Sequence, residues 1–344
     1  MQRTTVLLLF GGESSEHDVS LSSARNVYAA IDDIKFDVQL GFIDRQGKWW
    51  LLDSFDSEVS DDDAVQLVPA LGQASLMMIP EMTLITPDVI LPILHGKNGE
   101  DGSVQGLAQL LHIPIVGCDM TSSAICMDKL ATKQILNAHS LAAVPYEVHH
   151  IYDPKPDFSY LSMRLGTPMF IKPARSGSSV GVSKIYSEDE LAAAIDLAHR
   201  HDDVALIERG IAGRELEVAV LGNPPHHMTS QVGEIKPGSD FYSYEAKYAV
   251  TNVSQTILTA DLSVETSKFI RRQAAKVYAI LGCKGLARID FFLDDSNTLY
   301  VNEVNTLPGF TNTSMYPKLF HEQGISYSEL ISRLIYAAIN SVEV

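Results

Sequence analysis

Apolar and polar positions follow two different patterns over the first third of the chain. Apolar residues at helical spacing predict helices at about residues 20–31 and 103–111. Short apolar runs predict strands at residues 6–10, 38–43, 89–94 and 113–116. Strands that alternate with helices predict a parallel sheet covered by helices, in which ligands gather at the carboxyl ends of the strands. Two glycine-rich loops, at residues 11–17 and 95–102, follow such ends.

The pattern changes near residue 126 and again near residue 214. The middle segment predicts the helices and short strands of an α+β unit, at residues 128–139, 169–173, 182–185, 189–199 and 205–208. The last segment predicts strands at residues 216–221, 286–293 and 298–304, with helices at 263–281 and 326–340. Residues 234–254 lack periodicity and are interpreted as a long functional loop. We therefore predict three domains, at residues 1–125, 126–213 and 214–344.

The net charge of the chain disfavours some classes of binding partner. The 344 residues include 26 Lys and Arg against 43 Asp and Glu, a formal net charge of −17. Because so acidic a chain repels nucleic acid and anionic membranes, neither is an expected partner. An anionic ligand would need a local concentration of basic residues, or a metal ion. Three cysteines without a CxxC pair, and no apolar run of about 20 residues, predict a cytoplasmic protein.

The strongest chemical pattern lies near the end of the chain. Asp290 sits in one predicted strand, while Glu303 and Asn305 share one face of the next strand. Two carboxylates and an amide oxygen suit Mg²⁺ bound together with substrate phosphates. Arg288, two residues before Asp290, would place a fixed positive charge beside the metal. In isolation the same pattern is more often a polar pair that caps a hairpin, and the patterns elsewhere in the chain favour the metal site.

A second pattern is the loop at residues 174–181, which is rich in Gly and Ser and follows Lys172. Its backbone N–H groups and hydroxyls can hold phosphate oxygens, although a short Gly/Ser loop by itself is more often a turn. The loop is not the GxxxxGK[ST] phosphate loop, and no GxGxxG dinucleotide motif opens a helix after the first strand.

Three further charged residues carry weaker patterns. Lys129 follows Asp128 at a predicted helix start, where the simpler interpretation is a capping Asp128 beside a solvated lysine. Glu208 lies on a predicted strand and Glu215 follows seven residues later, so that both could accept hydrogen bonds from ribose hydroxyls. Taken alone, such carboxylates are usually surface charges.

Taken together, these patterns resemble the ATP-grasp enzymes, and more narrowly the D-alanine–D-alanine ligases. The resemblance covers essentially the whole chain. Its motifs, in order, are GGESSEHDVS (11–20), LHGKNGEDGSVQG (94–106), GCDMTSSAICMDK (117–129), FIKPARSGSSVGV (170–182), FYSYEAKY (241–248), GLARIDFF (285–292) and NEVNTLPGFT (302–311). The resemblance implies mixed α/β and α+β structure: an ATP-grasp fold with an N-terminal Rossmann-like parallel-sheet domain.

The resemblance also implies an activity. In that family ATP phosphorylates the carboxylate of one D-alanine, and the amine of a second attacks the resulting D-alanyl phosphate. The D-alanyl-D-alanine formed serves peptidoglycan precursor synthesis. The implied cofactors are ATP and two Mg²⁺ ions per site, for which Mn²⁺ can substitute, and the implied assembly is a homodimer. An acylphosphate hydrolyses easily, so residues 234–254 and 174–180 are the candidate lids that exclude water.

By the family pattern, one set of residues binds the nucleotide and its metals. The phosphate contacts are expected from Lys129, Lys172 and Lys247. The adenine or ribose contacts are expected from Glu208 and Glu215. The two Mg²⁺ ions are expected on Asp290, Glu303 and Asn305.

A second set handles the amino acids. Glu16 resembles the carboxylate that binds the first ammonium, with His95 as its neighbour, and Ser314 resembles the residue that binds the second carboxylate. The oxyanion donors are expected to be Arg288 and the amide of Gly309. Ser178 and Tyr248 resemble the partners of Glu16 in a relay to the lid.

Two other functions remain open from the sequence. One is a ligase that takes D-lactate or D-serine as its second substrate. Ligases that make D-alanyl-D-lactate resemble this chain but depart at the lid, commonly with Phe at the Tyr position or with a different loop carrying His, whereas EAKY (245–248) is intact here. The segment 94–129 resembles that of resistance-type ligases. Ser176 departs from the family pattern, because many relatives have Glu at that position. A catalytically silent nucleotide-binding module predicts the loss of a metal ligand, whereas all three are present.

Overall fold

The N-terminal sheet combines a parallel centre with an antiparallel edge. In the computed structural model, which describes residues 3–57, 65–236 and 255–340, it has seven strands in the order β6-β5-β4-β3-β2-β1-β7. These strands are β1 (Thr4–Gly11), β2 (Phe36–Ile43), β3 (Trp49–Leu52), β4 (Val65–Ala70), β5 (Ser75–Ile79), β6 (Thr83–Ile85) and β7 (Val89–Ile93). Only β1 with β2 and β1 with β7 pair in parallel. The predicted parallel sheet is therefore confirmed at its centre, and β3–β6 add an antiparallel meander.

The predicted strand at residues 113–116 is wrong. That segment makes a single parallel bridge, between Ile90 and Ile115. Pro114 has no N–H group, so a continuous ladder cannot form through it. The N-terminal helices are α1 (His17–Ala30) and α2 (Ser103–Leu111), and two more, α3 (Met120–Met127) and α4 (Lys129–Ala138), lead to the next unit.

The middle segment forms a four-stranded antiparallel sheet in the order β10-β9-β11-β8. Its elements are β8 (Tyr146–His150), α5 (Phe158–Leu165), β9 (Met169–Pro173), β10 (Ser183–Ile185), α6 (Glu188–Ala198) and β11 (Val204–Arg209). The predicted hairpin with a long tip is confirmed, because β9 and β10 pair antiparallel on either side of the small-residue loop.

The last segment forms a six-stranded sheet. Five of its strands follow the order β15-β14-β12-β16-β17, and β13 also pairs with β12. Its strands are β12 (Gly213–Leu221), β13 (Met228–Thr229), β14 (Gly233–Lys236), β15 (Gln255–Ile257), β16 (Leu286–Asp294) and β17 (Leu299–Asn305). Its helices are α7 (Val264–Ile280), α8 (Met315–His321) and α9 (Tyr327–Ile339). Strand β14 takes the start of the predicted long loop, and residues 237–254 lie outside the described residues.

One hydrophobic core joins the first sheet to the last. Val6 and Leu8 of β1 pack in the same cluster as Tyr316 of α8 and Leu334 of α9, all of them at most 1% exposed. The Tyr316 hydroxyl also donates a hydrogen bond to the carbonyl of Val220, at 2.9 Å. This core fixes the loop after β1 against the strands that carry the acidic residues. The three-domain division at residues 125 and 213 stays a prediction.

Among the described helices, none combines the length and the apolar character needed to cross a bilayer.

Candidate active site

Two neighbouring strands carry the predicted metal residues on one face of the last sheet, and a third strand adds Glu217 to that face. Asp290 pairs with Glu303, and Arg288 pairs with Asn305, across β16 and β17. On the other side of β16, Glu217 of β12 pairs with Asp290. Residues two apart on a strand share a face, so all five side chains point the same way.

Arg288 is the centre of this cluster. Its Nε and Nη2 each donate a 2.7 Å hydrogen bond to a different oxygen of Asp290, and Nε lies 3.2 Å from Oε2 of Glu217. Burial on its own lowers the pKa of Arg288, but Asp290 and Glu217 outweigh it and raise the pKa. The guanidinium is therefore a permanent positive charge held rigidly by two carboxylates.

The donor set fits a magnesium ion that also binds phosphate. Asn305 donates through Nδ2 to Oδ2 of Asp290, at 3.1 Å, and Glu303 lines the adjoining clefts. Within residues 3–57, 65–236 and 255–340, no three His, Cys, Asp or Glu side chains converge as a metal-binding group. Mg²⁺ is commonly held by one or two carboxylates together with substrate phosphates. Asp290, Glu303 and Asn305 therefore fit an ion that arrives with a nucleotide.

A buried ion-pair trio lies on the middle sheet. Lys172 of β9 and Lys133 of α4 approach Glu208 of β11, with Nζ–Oε distances of 2.7 and 2.9 Å. The three residues are 9%, 1% and 4% exposed, respectively. Burial on its own raises the pKa of Glu208, but the two lysines outweigh it and lower the pKa to about 2. Glu208 is therefore not the surface charge that its sequence context would favour.

Lys129 is partly buried. Its Nζ donates a 2.6 Å hydrogen bond to the carbonyl of Ser176, at the tip of the β9–β10 hairpin. Burial lowers the pKa of Lys129, and the Glu303 carboxylate only partly offsets that effect. Asp128 caps α4 by accepting from the backbone N–H of Leu130 and of Ala131, both at 3.0 Å. The simpler interpretation was thus right for Asp128 and wrong for Lys129.

The small-residue loop between β9 and β10 is held at its base. Asp202 accepts hydrogen bonds from the backbone N–H of Arg175 at 2.7 Å and from its Nη2 at 2.6 Å. At the tip, Ser178 and Ser179 have φ angles of +49° and +59°. Because side-chain-bearing residues seldom adopt the left-handed region, this loop has an unusual shape for a simple turn.

The loops after β1 and β7 bring Glu16 to His95. Ser14 links them, since its hydroxyl donates to the carbonyl of His95 at 2.7 Å and accepts from the N–H of Glu16 at 3.1 Å. His95 Nδ1 lies 3.9 Å from Oε1 of Glu100. Burial on its own lowers the pKa of His95, but Glu100 and Glu16 outweigh it and raise the pKa. Gly96 is required here, because it has a φ of +69° and a Cβ would lie 3.2 Å from the Glu16 carboxylate.

Gly309 and Ser314 lie side by side. A Cβ on Gly309 would lie 3.1 Å from the Ser314 hydroxyl. That hydroxyl accepts from the backbone N–H of Thr311 at 3.1 Å and lies 2.8 Å from the Thr311 hydroxyl. Gly309 lines the same cleft as Glu16, His95 and Arg288, whereas Ser314 lies beside Gly309 without being one of the residues that line this cleft.

Two clefts meet at this site. The larger, about 2220 Å³ and open to solvent, lies between the middle and last sheets, and Phe170 and Phe292 contribute to its walls. The smaller, about 940 Å³ and likewise open to solvent, reaches from the first sheet to β17. Four residues line both: Lys129, Gly177, Ser178 and Glu303. The larger cleft, but not the smaller one, is also lined by Lys172, Glu208 and Glu215. The predicted residues Lys247 and Tyr248 lie outside the described residues.

The sequence patterns missed three charged residues of the site. Lys133 could have been noticed because it follows Lys129 by four positions and so shares its helix face. Glu217 could have been noticed because it shares a strand face with Glu215. Glu100 lies in the glycine-rich loop that contains His95, and its spacing carries no signal.

The fold and the two clefts define an ATP-grasp ligase. Solved structures share this architecture over nearly the whole chain. The VanG D-Ala:D-Ser ligase from Enterococcus faecalis is 34% identical with a TM-score of 0.89, covering 98% of this chain and 100% of that one. The D-alanine-D-alanine ligase from Coxiella burnetii is 34% identical with a TM-score of 0.88, covering 99% and 95%.

Sequence comparisons narrow the class to one family. Family models described as D-ala D-ala ligase N-terminus and D-ala D-ala ligase C-terminus match residues 5–118 and 135–336. D-alanine–D-alanine ligase A of Escherichia coli (strain K12) is 43% identical over 357 residues, covering 98% of this chain and 96% of that one. The corresponding enzyme of Chromobacterium violaceum is 41% identical over 352 residues, with the same coverages. The chain belongs to the D-alanine–D-alanine ligase family.

Proposed function

We propose that this protein uses ATP to join two D-alanine molecules into D-alanyl-D-alanine, a building block for peptidoglycan precursors. The observation that carries the proposal is the meeting of the two clefts at Lys129, Ser178 and Glu303. A nucleotide in the larger cleft would present its terminal phosphate there, to an amino acid in the smaller cleft. Transfer of that phosphate to a D-alanine carboxylate gives D-alanyl phosphate and ADP. The amine of the second D-alanine then displaces phosphate.

The larger cleft is assigned to the nucleotide. Its aromatic walls suit a purine, and Glu208 and Glu215 are assigned to adenine or ribose. Lys129 and Lys172, with Lys247 from the segment outside the described residues, are assigned to the phosphates. Asp290, Glu303 and Asn305 would hold two Mg²⁺ ions, which Mn²⁺ can replace. When bound, these ions neutralise the charge that develops on the phosphates during transfer.

The smaller cleft is assigned to the amino acids. Glu16 binds the ammonium of the first D-alanine, beside His95, and Ser314 binds the carboxylate of the second. Arg288 and the amide of Gly309 stabilise the oxyanion of the tetrahedral intermediate, because a fixed charge and a backbone donor need little reorganisation. Ser178 and Tyr248 are assigned to a relay that connects Glu16 to the lid.

Beyond the site, we propose that the protein works in the cytoplasm as a homodimer, without a nucleic-acid or membrane partner. The net charge of −17 supports the last two points, since anionic polymers and surfaces would be repelled. Sedimentation of the purified protein at several concentrations measures the oligomeric state.

The decisive experiment follows both the products and the intermediate. Purified protein is incubated with ATP, Mg²⁺ and D-alanine labelled with ¹⁸O in its carboxylate, and the products are analysed by mass spectrometry. We expect one D-alanyl-D-alanine per phosphate released, and one ¹⁸O atom in that phosphate, because the acylphosphate oxygen leaves with phosphorus. Folded protein that releases neither product contradicts the proposal, and unlabelled phosphate contradicts the acylphosphate.

A second candidate differs only in the second substrate. It is supported by the structural likeness to the VanG D-Ala:D-Ser ligase, with a TM-score of 0.89. A competition assay with D-alanine, D-serine and D-lactate across a range of pH distinguishes the candidates by product mass. We expect D-alanyl-D-alanine to predominate, and we expect Tyr248→Phe to shift the products towards D-lactate. Predominance of the serine or lactate product in the unmodified enzyme would establish the second candidate instead.

A further inference from the structure

The two lysines that hold Glu208 differ in their access to the nucleotide cleft. Lys172 lines that cleft, whereas Lys133 does not and is 1% exposed. Lys133 also donates to the carbonyl of Val144 at 3.2 Å, and its Nζ lies 5.4 Å from the centre of the Tyr146 ring. Lys172 can therefore turn to a ligand, while Lys133 is enclosed by protein.

Occupation of the cleft would change the charge balance around Glu208. If the cleft takes ATP, as proposed above, Lys172 is drawn from Glu208 towards the phosphates. A buried carboxylate that loses its counter-ion is costly, and such a group takes up a proton instead. Glu208 needs its charge to accept hydrogen bonds from adenine or ribose, because a protonated carboxyl has fewer acceptor positions.

We propose that Lys133 is a positioning residue for nucleotide binding: it remains as the counter-ion of Glu208 when Lys172 moves to the phosphates. Lys133 thus keeps Glu208 ionised both when the cleft is empty and when it is occupied. The inference rests on the proposed use of ATP and assigns Lys133 no contact with the nucleotide.

The surroundings of Glu208 support this role. Among the described residues, the nearest charged groups are Lys172 from β9 and Lys133 from α4. Lys129, also on α4, lies within electrostatic reach, and β8 contributes Tyr146 opposite Glu208. Lys129 is already bonded to Ser176 and faces both clefts, so it is committed elsewhere. Lys133 is left as the counter-ion that a ligand cannot reach.

The test is Lys133→Met, which keeps the length of the side chain and removes its charge. MgADP is titrated calorimetrically into the full-length enzyme, in two buffers of different ionisation enthalpy, at about pH 6 and about pH 7. We expect binding to weaken by about tenfold or more at about pH 7. We also expect up to about one additional proton to be taken up per nucleotide, because the complex then holds Glu208 at a raised pKa. Binding of the variant should consequently tighten as the pH falls.

The control is Lys276→Met, an exposed lysine whose Nζ contacts the carbonyl of His139 at the end of the same helix α4. It should bind MgADP with the affinity of the unmodified enzyme and with the same number of protons exchanged per nucleotide. Protons that the nucleotide itself exchanges are then the same in every variant and do not affect the comparison. A purely structural role for Lys133 would lower affinity without proton uptake. Unchanged affinity in Lys133→Met, or weakened binding without additional protons, would overturn the inference.

Two further measurements keep the outcome interpretable. If Lys133→Met does not fold, Lys133→Met/Glu208→Gln removes both charges and should fold; its MgADP binding should be weaker, because an acceptor for the nucleotide is lost, but should occur without proton uptake. A double variant that is equally unstable, or that still takes up a proton, contradicts the inference. Failure of the proposed function is separate, because it would appear as absence of dipeptide from the unmodified enzyme.

Discussion

Replacing Asp202 with asparagine tests how the β9–β10 loop, which we propose to bind phosphate, is anchored. Oδ2 of Asp202 accepts from the backbone N and Nε of Arg175, at 2.7 and 3.1 Å. Oδ1 accepts from Nη2 of Arg175 and the backbone N of Val204, at 2.6 and 3.1 Å. Since asparagine has one carbonyl oxygen, its NH₂ group must face two donors in either orientation.

The expected loss of stability follows from how deeply the side chains of Asp202 and Arg175 are buried. The Asp202 side chain is 2% exposed, and a buried N–H left without an acceptor costs about 1–3 kcal/mol. A hydrogen bond to a charged group contributes about 1.5–3 kcal/mol, but the Arg175 side chain is 52% exposed, so water screens that contribution. We expect Asp202→Asn to lower the free energy of unfolding by about 2–3 kcal/mol. The loosened loop should also raise the KM for ATP.

Denaturant unfolding and amide hydrogen exchange at residues 174–181 measure the effect. Asp203→Asn is the matched control, because Asp203 is the exposed neighbour. Burial raises the pKa of Asp202, but Arg175 and the backbone N–H groups outweigh it and lower the pKa below 3.8. Stability from this carboxylate is therefore present above about pH 3.8 and is lost as the pH falls through the folded value. Equal unfolding and exchange in both variants would refute the anchoring role.

Three other substitutions test separate parts of the site. Glu303→Ala should abolish phosphate release while leaving the melting temperature nearly unchanged, and near-normal turnover would contradict the metal assignment. Glu100→Gln should lower the pKa of His95, because it removes the main partner that raises it; an unchanged NMR titration would contradict this. Gly309→Ala should raise the KM for D-alanine several-fold, since its Cβ would lie 3.1 Å from the Ser314 hydroxyl, and an unchanged KM would contradict the prediction that this contact positions Ser314 for substrate.

The sequence by itself determined many of the local elements and the residue types of the site. The helix predicted at residues 103–111 has the same bounds in the structure, and the strand at residues 169–173 likewise. Spacing of two along a strand correctly placed Glu303 and Asn305 on one face. These predictions succeed because periodicity reports the direction of each side chain relative to its own helix or strand.

The antiparallel edge of the first sheet could not be predicted in the same way. Strands β3–β6 are three to six residues long, and most of their residues are only partly buried, so no clear apolar alternation marks them. Their identity as strands depends on pairing with a neighbour, beginning with β2 and β3. The strand predicted at residues 113–116 was wrong for a different reason: the run is apolar, but Pro114 interrupts its pairing.

Only the tertiary structure decided which charges are paired. Lys133 and Glu208, and likewise Glu217 and Arg288, are far apart in sequence and meet because separate elements pack together. The same packing makes Lys129, which its local pattern favours as a solvated residue, a partly buried one that donates to the carbonyl of Ser176. Sequence spacing fixes the direction of a side chain within one element, whereas its counter-ion and its exposure depend on which other elements cover that face.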